Sequence, residues 1–142
     1  MKINRNAIFH AGFLVLCSLF LISSSKGEPT WRTAILEADL YNVVLLQVND
    51  GIYTGQHEYR SYMYRVQAEV TDHQIVRIEI VDWNQNDART KALAIFDRVI
   101  EYQSLCVDTV TGATTASRLY LLCLEDAFSE YKYDKCPAWE SE

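Results

Sequence analysis

The chain has 142 residues, room for one folded domain, and its 49% hydrophobic and 23% charged residues are typical of a globular protein. Its 13 basic and 19 acidic residues give a formal net charge of −6, and residues 1–27 hold three of the basic residues and none of the acidic ones. Without that stretch, 10 basic residues and a net charge of −9 would remain. We therefore expect no nucleic-acid partner, because such binding needs clustered Lys and Arg.

The amino-terminal stretch has the pattern of an export signal. Two basic side chains in the first five residues precede an apolar run over 8–22, which is shorter than the roughly 20 residues that span a bilayer. Small residues suited to a signal peptidase follow the run. We expect residues 1–27 to be a cleaved signal and the exported chain to begin between Ser25 and Pro29. The alternative is an uncleaved amino-terminal anchor.

The first elements of the expected domain are short. Residues 31–40 indicate a short helix or an irregular segment, and the apolar run Val43–Val48 predicts a buried strand or the end of that helix. A turn signal follows at 49–51.

Two alternating segments predict a hairpin of half-buried antiparallel strands. From Tyr62 to Val70 the even positions are apolar, and from Ile75 to Val81 the predicted core side chains are Val76, Ile78 and Ile80. Asp72 and His73 lie between these segments, so we expect them to form the turn. His73 is interpreted as a turn residue and not as a ligand.

The hydrophobic period changes to that of helices in the second half of the chain. A first stripe begins at Arg89 and comprises Ala92, Leu93, Phe96, Val99 and Ile100. A second stripe, between Ala116 and Phe128, follows a loop at 108–112, and the tail at 131–139 is polar and aromatic. Strands followed by helices predict a single α+β domain over 28–142, with an antiparallel sheet and hairpin packed against two or three helices.

Three cysteines lie after the export signal, so at most one intramolecular disulfide can form among them. A bridge between Cys106 and Cys123 would brace the loop between the two helices, although Cys136 in the tail could pair with either. The spacing of Cys and His predicts no zinc site. His57 and His73 have no evident partners, and we identify no catalytic residue.

Two segments combine glycine with hydroxyl side chains. They are Asp50-Gly-Ile-Tyr-Thr-Gly55 and Asp108-Thr-Val-Thr-Gly-Ala-Thr-Thr-Ala-Ser117. The second lies just before a predicted helix, where glycine permits a tight turn and free first-turn amides can bind an anion such as phosphate. The alternative interpretation is an ordinary helix N-cap rich in threonine.

Both segments resemble motifs of one family. The pattern Asp108-x-x-Thr111-Gly112-Ala113-Thr114-x-x-Ser117 is similar to the flavinylation motif of FMN-binding domains, and Asp50-Gly51-x-Tyr53-x-Gly55 resembles the opening signature of those domains. Such domains occur in the C subunit of sodium-translocating NADH:quinone reductase, in the G subunit of the Rnf complex and in small exported flavoproteins. The resemblance covers about residues 48–128.

The resemblance implies a covalent cofactor. In that family a flavin transferase moves FMN from FAD onto the second threonine of the motif as a phosphoester, and this threonine is Thr114 here. The other cofactor-binding positions implied are Asp108, Thr111, Gly112, Ala113, Ser117, Gly51 and Tyr53. Position 116 departs from the family, because it is Ala where Ser or Thr is usual. Tyr53 is a candidate to line the flavin ring, whereas Tyr62 and Tyr64 share an apolar strand face and are expected in the core.

The function expected from this resemblance is that of an exported electron-transfer flavoprotein and not of a stand-alone enzyme. It would act in the periplasm or on the outer face of the cytoplasmic membrane, with redox donor and acceptor proteins at the membrane as partners. One alternative is a module that binds FMN reversibly or a subunit of a larger reductase. Another is a small secreted interaction domain without flavin.

Overall fold

The structure is a computed structural model that describes residues 30–81 and 87–137. The expected export signal and its alternative, an anchor, lie outside the described residues. The described elements, in chain order, are α1 (Trp31–Glu37), β1 (Tyr41–Val43), a 3-10 helix (Leu45–Gln47), β2 (Gly51–Tyr59), β3 (Tyr62–Thr71), β4 (Gln74–Ile80), α2 (Asp87–Ala92), α3 (Ala94–Tyr102), α4 (Thr114–Ala127), a second 3-10 helix (Ser129–Tyr131) and β5 (Lys132–Lys135).

The main sheet is antiparallel with the strand order β2-β3-β4. Its two connections are two-residue turns, Arg60–Ser61 and Asp72–His73, and all four turn residues have positive φ angles. Such turns match the twist of the flanking strands, which is why they join hairpins tightly. The predicted hairpin with its turn at Asp72–His73 is confirmed.

One predicted strand face is wrong in part. The alternation placed Val76 in the core with Ile78 and Ile80, but Val76 is 47% exposed and Ile75 is buried instead. A register shift pairs Val70 with Ile75, whereas regular spacing would pair it with Val76. Val76 is thus the extra residue of a bulge, which reverses the side-chain alternation at that point.

A second, two-stranded antiparallel sheet joins the beginning and the end of the domain. Its strands are β1 and β5, with Tyr41 opposite Lys135. The prediction for the apolar run at 43–48 is wrong: only Val43 belongs to a strand, a 3-10 helix follows, and Leu46 is 79% exposed. The polar and aromatic tail contributes β5. At the end of α4, the buried carboxylate of Glu125 pairs with Lys132 of β5 at 2.5 Å and accepts from the Tyr41 amide of β1 at 3.3 Å.

The core is built around α4. Every residue from 117 to 125 is buried, so the helix is enclosed on all sides. It packs against β2 and β3, and also against β1 and the three shorter α-helices. β2 crosses it at Gly55, where an added Cβ atom would lie 1.9 Å from the Cys123 carbonyl oxygen and 2.3 Å from the Ala127 nitrogen. Only glycine permits this contact between the two backbones.

The first helical stripe forms two helices where the sequence predicted one. α2 ends at Ala92 and α3 begins at Ala94, with Leu93 in the turn between them. The second predicted helix is α4, in nearly the expected bounds. The fold is therefore a single α+β domain with antiparallel sheets, as predicted. Across the described ranges, none of the helices has the length and apolar character needed to cross a membrane.

The two tyrosines expected in the core differ in burial. Tyr62 is 58% exposed, so its prediction is wrong. It is the first residue of β3 after a two-residue turn, at an end of the strand where both of the first two residues are exposed. Tyr64 is half-buried, and its ring lies 6.4 Å from the ring of Tyr120 and 4.4 Å from the guanidinium carbon of Arg89.

Candidate functional site

The segment of residues 103–113, here called the α3–α4 loop, has fixed contacts at its beginning. Gln103 has a left-handed backbone conformation that ends α3. Its side-chain amide bonds both backbone groups of Ile75, accepting from the nitrogen at 2.8 Å and donating to the oxygen at 3.0 Å. Next to it, the Asn42 amide oxygen accepts from the Leu105 nitrogen at 3.0 Å. These contacts attach the loop to both sheets.

A disulfide holds the next part of the loop. Cys106 is bonded to Cys136, which directly follows β5, with the two Cα atoms 5.3 Å apart. The predicted bridge between Cys106 and Cys123 is wrong, because Cys123 is enclosed in the middle of α4 and is a free thiol. Burial raises the pKa of Cys123 to about 12. The disulfide thus joins the loop to the second sheet.

The motif itself is held from both sides. From α3, Nη1 of Arg98 donates to the carbonyl oxygens of Asp108 at 2.6 Å and Thr109 at 3.0 Å. From α4, the hydroxyl of the fully buried Ser117 accepts from the Val110 nitrogen at 3.2 Å. Asp108 is itself exposed. Ser117 therefore braces the loop from inside and does not face solvent.

A tight turn leads from this braced segment into α4. The Ala113 nitrogen donates to the Val110 carbonyl oxygen at 2.9 Å, and between them Gly112 has a φ angle of +78°. A Cβ atom on Gly112 would meet no atom within 4 Å, so glycine is favoured here by its backbone angle and not by lack of space. Thr111 and Gly112 are exposed, whereas Ala113 is buried.

Thr114 is the first residue of α4, and its side chain is exposed. The N-cap position is taken by Ala113, so no side-chain hydrogen bond caps the helix within the part of the chain that the structure describes. The alternative interpretation of this segment as an ordinary threonine N-cap is therefore wrong. Uncapped first-turn amides carry a partial positive charge and can bind an anion.

A groove of about 670 Å³ lies beside the loop. Its walls are α3 and the loop, and its lining residues are Arg98, Glu101, Tyr102, Cys106, Val107, Asp108, Thr109 and Thr111. Tyr102, at the end of α3, is 66% exposed. The volume lies in the range of roughly 300–1,000 Å³ found for small-molecule sites. The sequence did not indicate Arg98 or Tyr102 as site residues. Both lie outside the apolar stripe of a predicted helix, where polar and exposed side chains are ordinary.

The first glycine segment lies elsewhere. Tyr53 packs its ring 5.2 Å from that of Phe128, and its hydroxyl donates to the Asn49 carbonyl oxygen at 2.8 Å. Phe128 directly follows α4, whereas Thr114 begins it, and a 14-residue helix is about 20 Å long. The structure therefore brings Asp108, Thr111–Thr114 and Ser117 together, and places Tyr53 at the opposite end of α4. Gly51 begins the same strand as Tyr53.

The two histidines have ordinary surroundings. His57 lies in β2, and His73 lies in the hairpin turn with its Nδ1 atom 2.9 Å from the Val48 carbonyl oxygen. Within the described ranges no group of His, Cys, Asp and Glu side chains has the arrangement of a metal site.

No protein-family model matches this chain, and no curated protein matches it.

Proposed function

We propose that this protein is an exported electron-transfer flavoprotein that carries one FMN, attached through a phosphoester to Thr114. The observation that carries the proposal is the position of Thr114: the acceptor residue implied by the motif is exposed at the uncapped start of a buried helix. The N-cap residue of a helix is normally Ser, Thr, Asp or Asn, whose side chain accepts a hydrogen bond from the first amides. The N-cap here is Ala113, which has no such side chain. The first amides of α4 are therefore available to donate to another group, such as a phosphate.

The residues around Thr114 fit a flavin phosphate. A phosphoester is anionic, and the uncapped amides and dipole of α4 favour negative charge at this end of the helix. The left-handed Gly112 leaves open space beside the acceptor. The adjacent groove has a volume suited to a small-molecule ring system and an exposed aromatic side chain, Tyr102.

The motif residues would divide the work of holding FMN. Thr114 would carry the bond, while exposed Asp108, Thr111 and Gly112 would lie next to the phosphate or to the transferase. Ser117 and Ala113 are buried and would maintain the loop. Bound FMN would supply the electron-transfer chemistry, and the protein would supply its attachment and surroundings. Gly51 and Tyr53 would stabilise the other end of the domain.

Two further features support export and redox partners. A disulfide at Cys106–Cys136 is typical of an oxidising compartment outside the cytoplasm. The net charge of −9 expected without residues 1–27 would favour association with basic donor and acceptor proteins at the membrane. Maturation would need a flavin transferase, which must reach Thr114, and the exposure of that side chain allows this.

The test is production of the chain together with a flavin transferase, followed by intact-mass measurement and in-gel fluorescence. We expect a fluorescent product heavier by FMN less one water. Thr114→Ala should abolish the adduct with a stability change of about 0.5 kcal/mol or less, because the side chain is exposed and does not cap the helix. Thr115→Ala, which removes the neighbouring hydroxyl, is the control and should keep the flavin.

Each alternative function gives a different result. A flavin that copurifies but is lost on boiling in detergent would indicate a reversible FMN-binding module. A colourless, unmodified chain beside an active transferase would indicate an interaction domain without flavin. A modified Thr114→Ala variant would refute the site assignment.

A further inference from the structure

Arg98 makes an unusual contact for an arginine near the surface of an acidic protein. It is half-buried on α3, and a single nitrogen, Nη1, donates to two successive backbone carbonyls of the loop, at Asp108 and Thr109. Among the residues that the structure describes, it forms no ion pair. Its contacts therefore fix the backbone of the motif and do not neutralise a carboxylate.

The two hydrogen bonds of Arg98 lie in the part of the loop that leads to Thr114. The disulfide at Cys106 precedes them, and the bond from Val110 to Ser117 follows them directly. Between these points lies a segment without regular secondary structure, so its carbonyls have no partner in a helix or sheet. Arg98 supplies that partner. The turn at Gly112 starts from the segment that Arg98 holds, and it leads to Thr114.

We propose that Arg98 is the positioning residue for attachment of FMN. It holds Asp108 and Thr109 against α3, and thereby presents the hydroxyl of Thr114 in one orientation to the flavin transferase. This inference rests on the proposed function. In the transfer, the Thr114 oxygen bonds to the phosphorus of the FMN half of FAD, the pyrophosphate P–O bond to the AMP half breaks, AMP leaves, and the hydroxyl proton passes to solvent. A preset acceptor favours this step, because group transfer depends strongly on the alignment of the attacking atom.

The first test uses the chain before flavin attachment. Arg98→Met keeps the apolar stem and removes both hydrogen bonds, whereas Arg98→Lys keeps a donor that can reach carbonyl oxygens. We expect the amides of Val110 and Ala113 to exchange with solvent about tenfold faster in Arg98→Met, the change that two ordinary hydrogen bonds produce. Exchange at Val99, buried in the same helix, should be unchanged. Arg98→Lys should restore most of the protection.

The second test measures the initial rate of flavin attachment by the transferase at saturating FAD. The rate should fall by about tenfold in Arg98→Met, because the acceptor is then no longer held in one orientation, and recover in Arg98→Lys. The matched control is Arg77→Met, because Arg77 also makes two hydrogen bonds, to Glu69 and Glu79, but lies in β4. Its attachment rate should equal that of the wild type.

The outcomes separate this inference from the proposed function. Unchanged exchange at Val110 and Ala113 in Arg98→Met overturns the positioning role, whatever the flavin result. Faster exchange with an unchanged attachment rate also overturns it, since the loop would then not need to be preset. A wild-type chain that takes no flavin refutes the proposed function, while the exchange measurement still decides whether Arg98 holds the loop.

Discussion

The two glycine-containing segments, residues 50–55 and 108–117, look alike in sequence and have different roles in the structure. In the first, Gly55 lies against the backbone of α4 with no room for a side chain, and the segment is part of β2. In the second, Gly112 is exposed in open space with a φ angle of +78°. One glycine is needed for close packing, and the other is needed for a backbone conformation.

Under the proposed function, the two segments act at opposite ends of α4. The first segment holds β2 on α4 and places Tyr53 against Phe128, at the end of the helix away from Thr114. The second segment ends at the exposed start of the same helix. We infer that the first segment stabilises α4 by packing against it, and that the second places the site of flavin attachment at the start of α4.

The largest effect is expected from alanine at the first glycine. Gly55→Ala should lower the free energy of unfolding by about 4 kcal/mol or more, because the new Cβ atom meets backbone atoms that cannot rotate away. Gly112→Ala should cost only about 1–2 kcal/mol, the usual penalty for a left-handed residue. Urea unfolding of both variants measures the difference. Equal losses would contradict the two roles assigned to these glycines.

A smaller effect is expected at the buried thiol of Cys123, the α4 residue whose backbone lies against Gly55. Burial raises the pKa of Cys123 from its ordinary value near 9 to about 12, so the folded state favours the protonated thiol. As the pH rises above 9 the unfolded chain loses this proton first, and stability falls. We expect the wild type to lose about 1 kcal/mol more than Cys123→Ser between pH 8 and pH 10. Parallel urea curves at the two pH values measure it, and an equal loss would indicate a solvated thiol.

The smallest effect is expected at Tyr53. Tyr53→Phe keeps the ring contact with Phe128 and removes an exposed hydrogen bond to the Asn49 carbonyl, so it should cost about 0.5 kcal/mol. The absorption spectrum and midpoint potential of the attached flavin should not change, because Tyr53 lies at the far end of α4. A shift in either property would mean that Tyr53 contacts the ring.

The sequence predicted the elements whose residues repeat with a clear period. The β3–β4 hairpin and α4 follow from alternation and from the stripe of apolar residues, and so does the α+β class. β2 was not assigned as a strand, because it contains Gly51 and Gly55 and mostly polar side chains. The exposed position of Thr114 follows from its place directly after the glycine turn.

Other features depend on contacts between distant parts of the chain. The bulge at Val76 arises from the pairing of β3 with β4, and no residue in it signals a bulge. The pairing of Cys106 with Cys136 depends on the pairing of β5 with β1. β5 has only four residues and most are polar, so its sequence does not predict a strand. The bonds of Arg98 go to backbone carbonyls, which are the same for every residue type.

The most direct test of the central claim is the location of the flavin in the chain produced with a transferase. After reduction and trypsin digestion, the two segments lie in different peptides, 33–60 and 99–118. We predict that the peptide 99–118 is fluorescent and heavier by FMN less one water, with the added mass at Thr114, and that the peptide 33–60 is unmodified. An unmodified peptide 99–118 from a chain exposed to active transferase, or flavin on the peptide 33–60, would contradict the account.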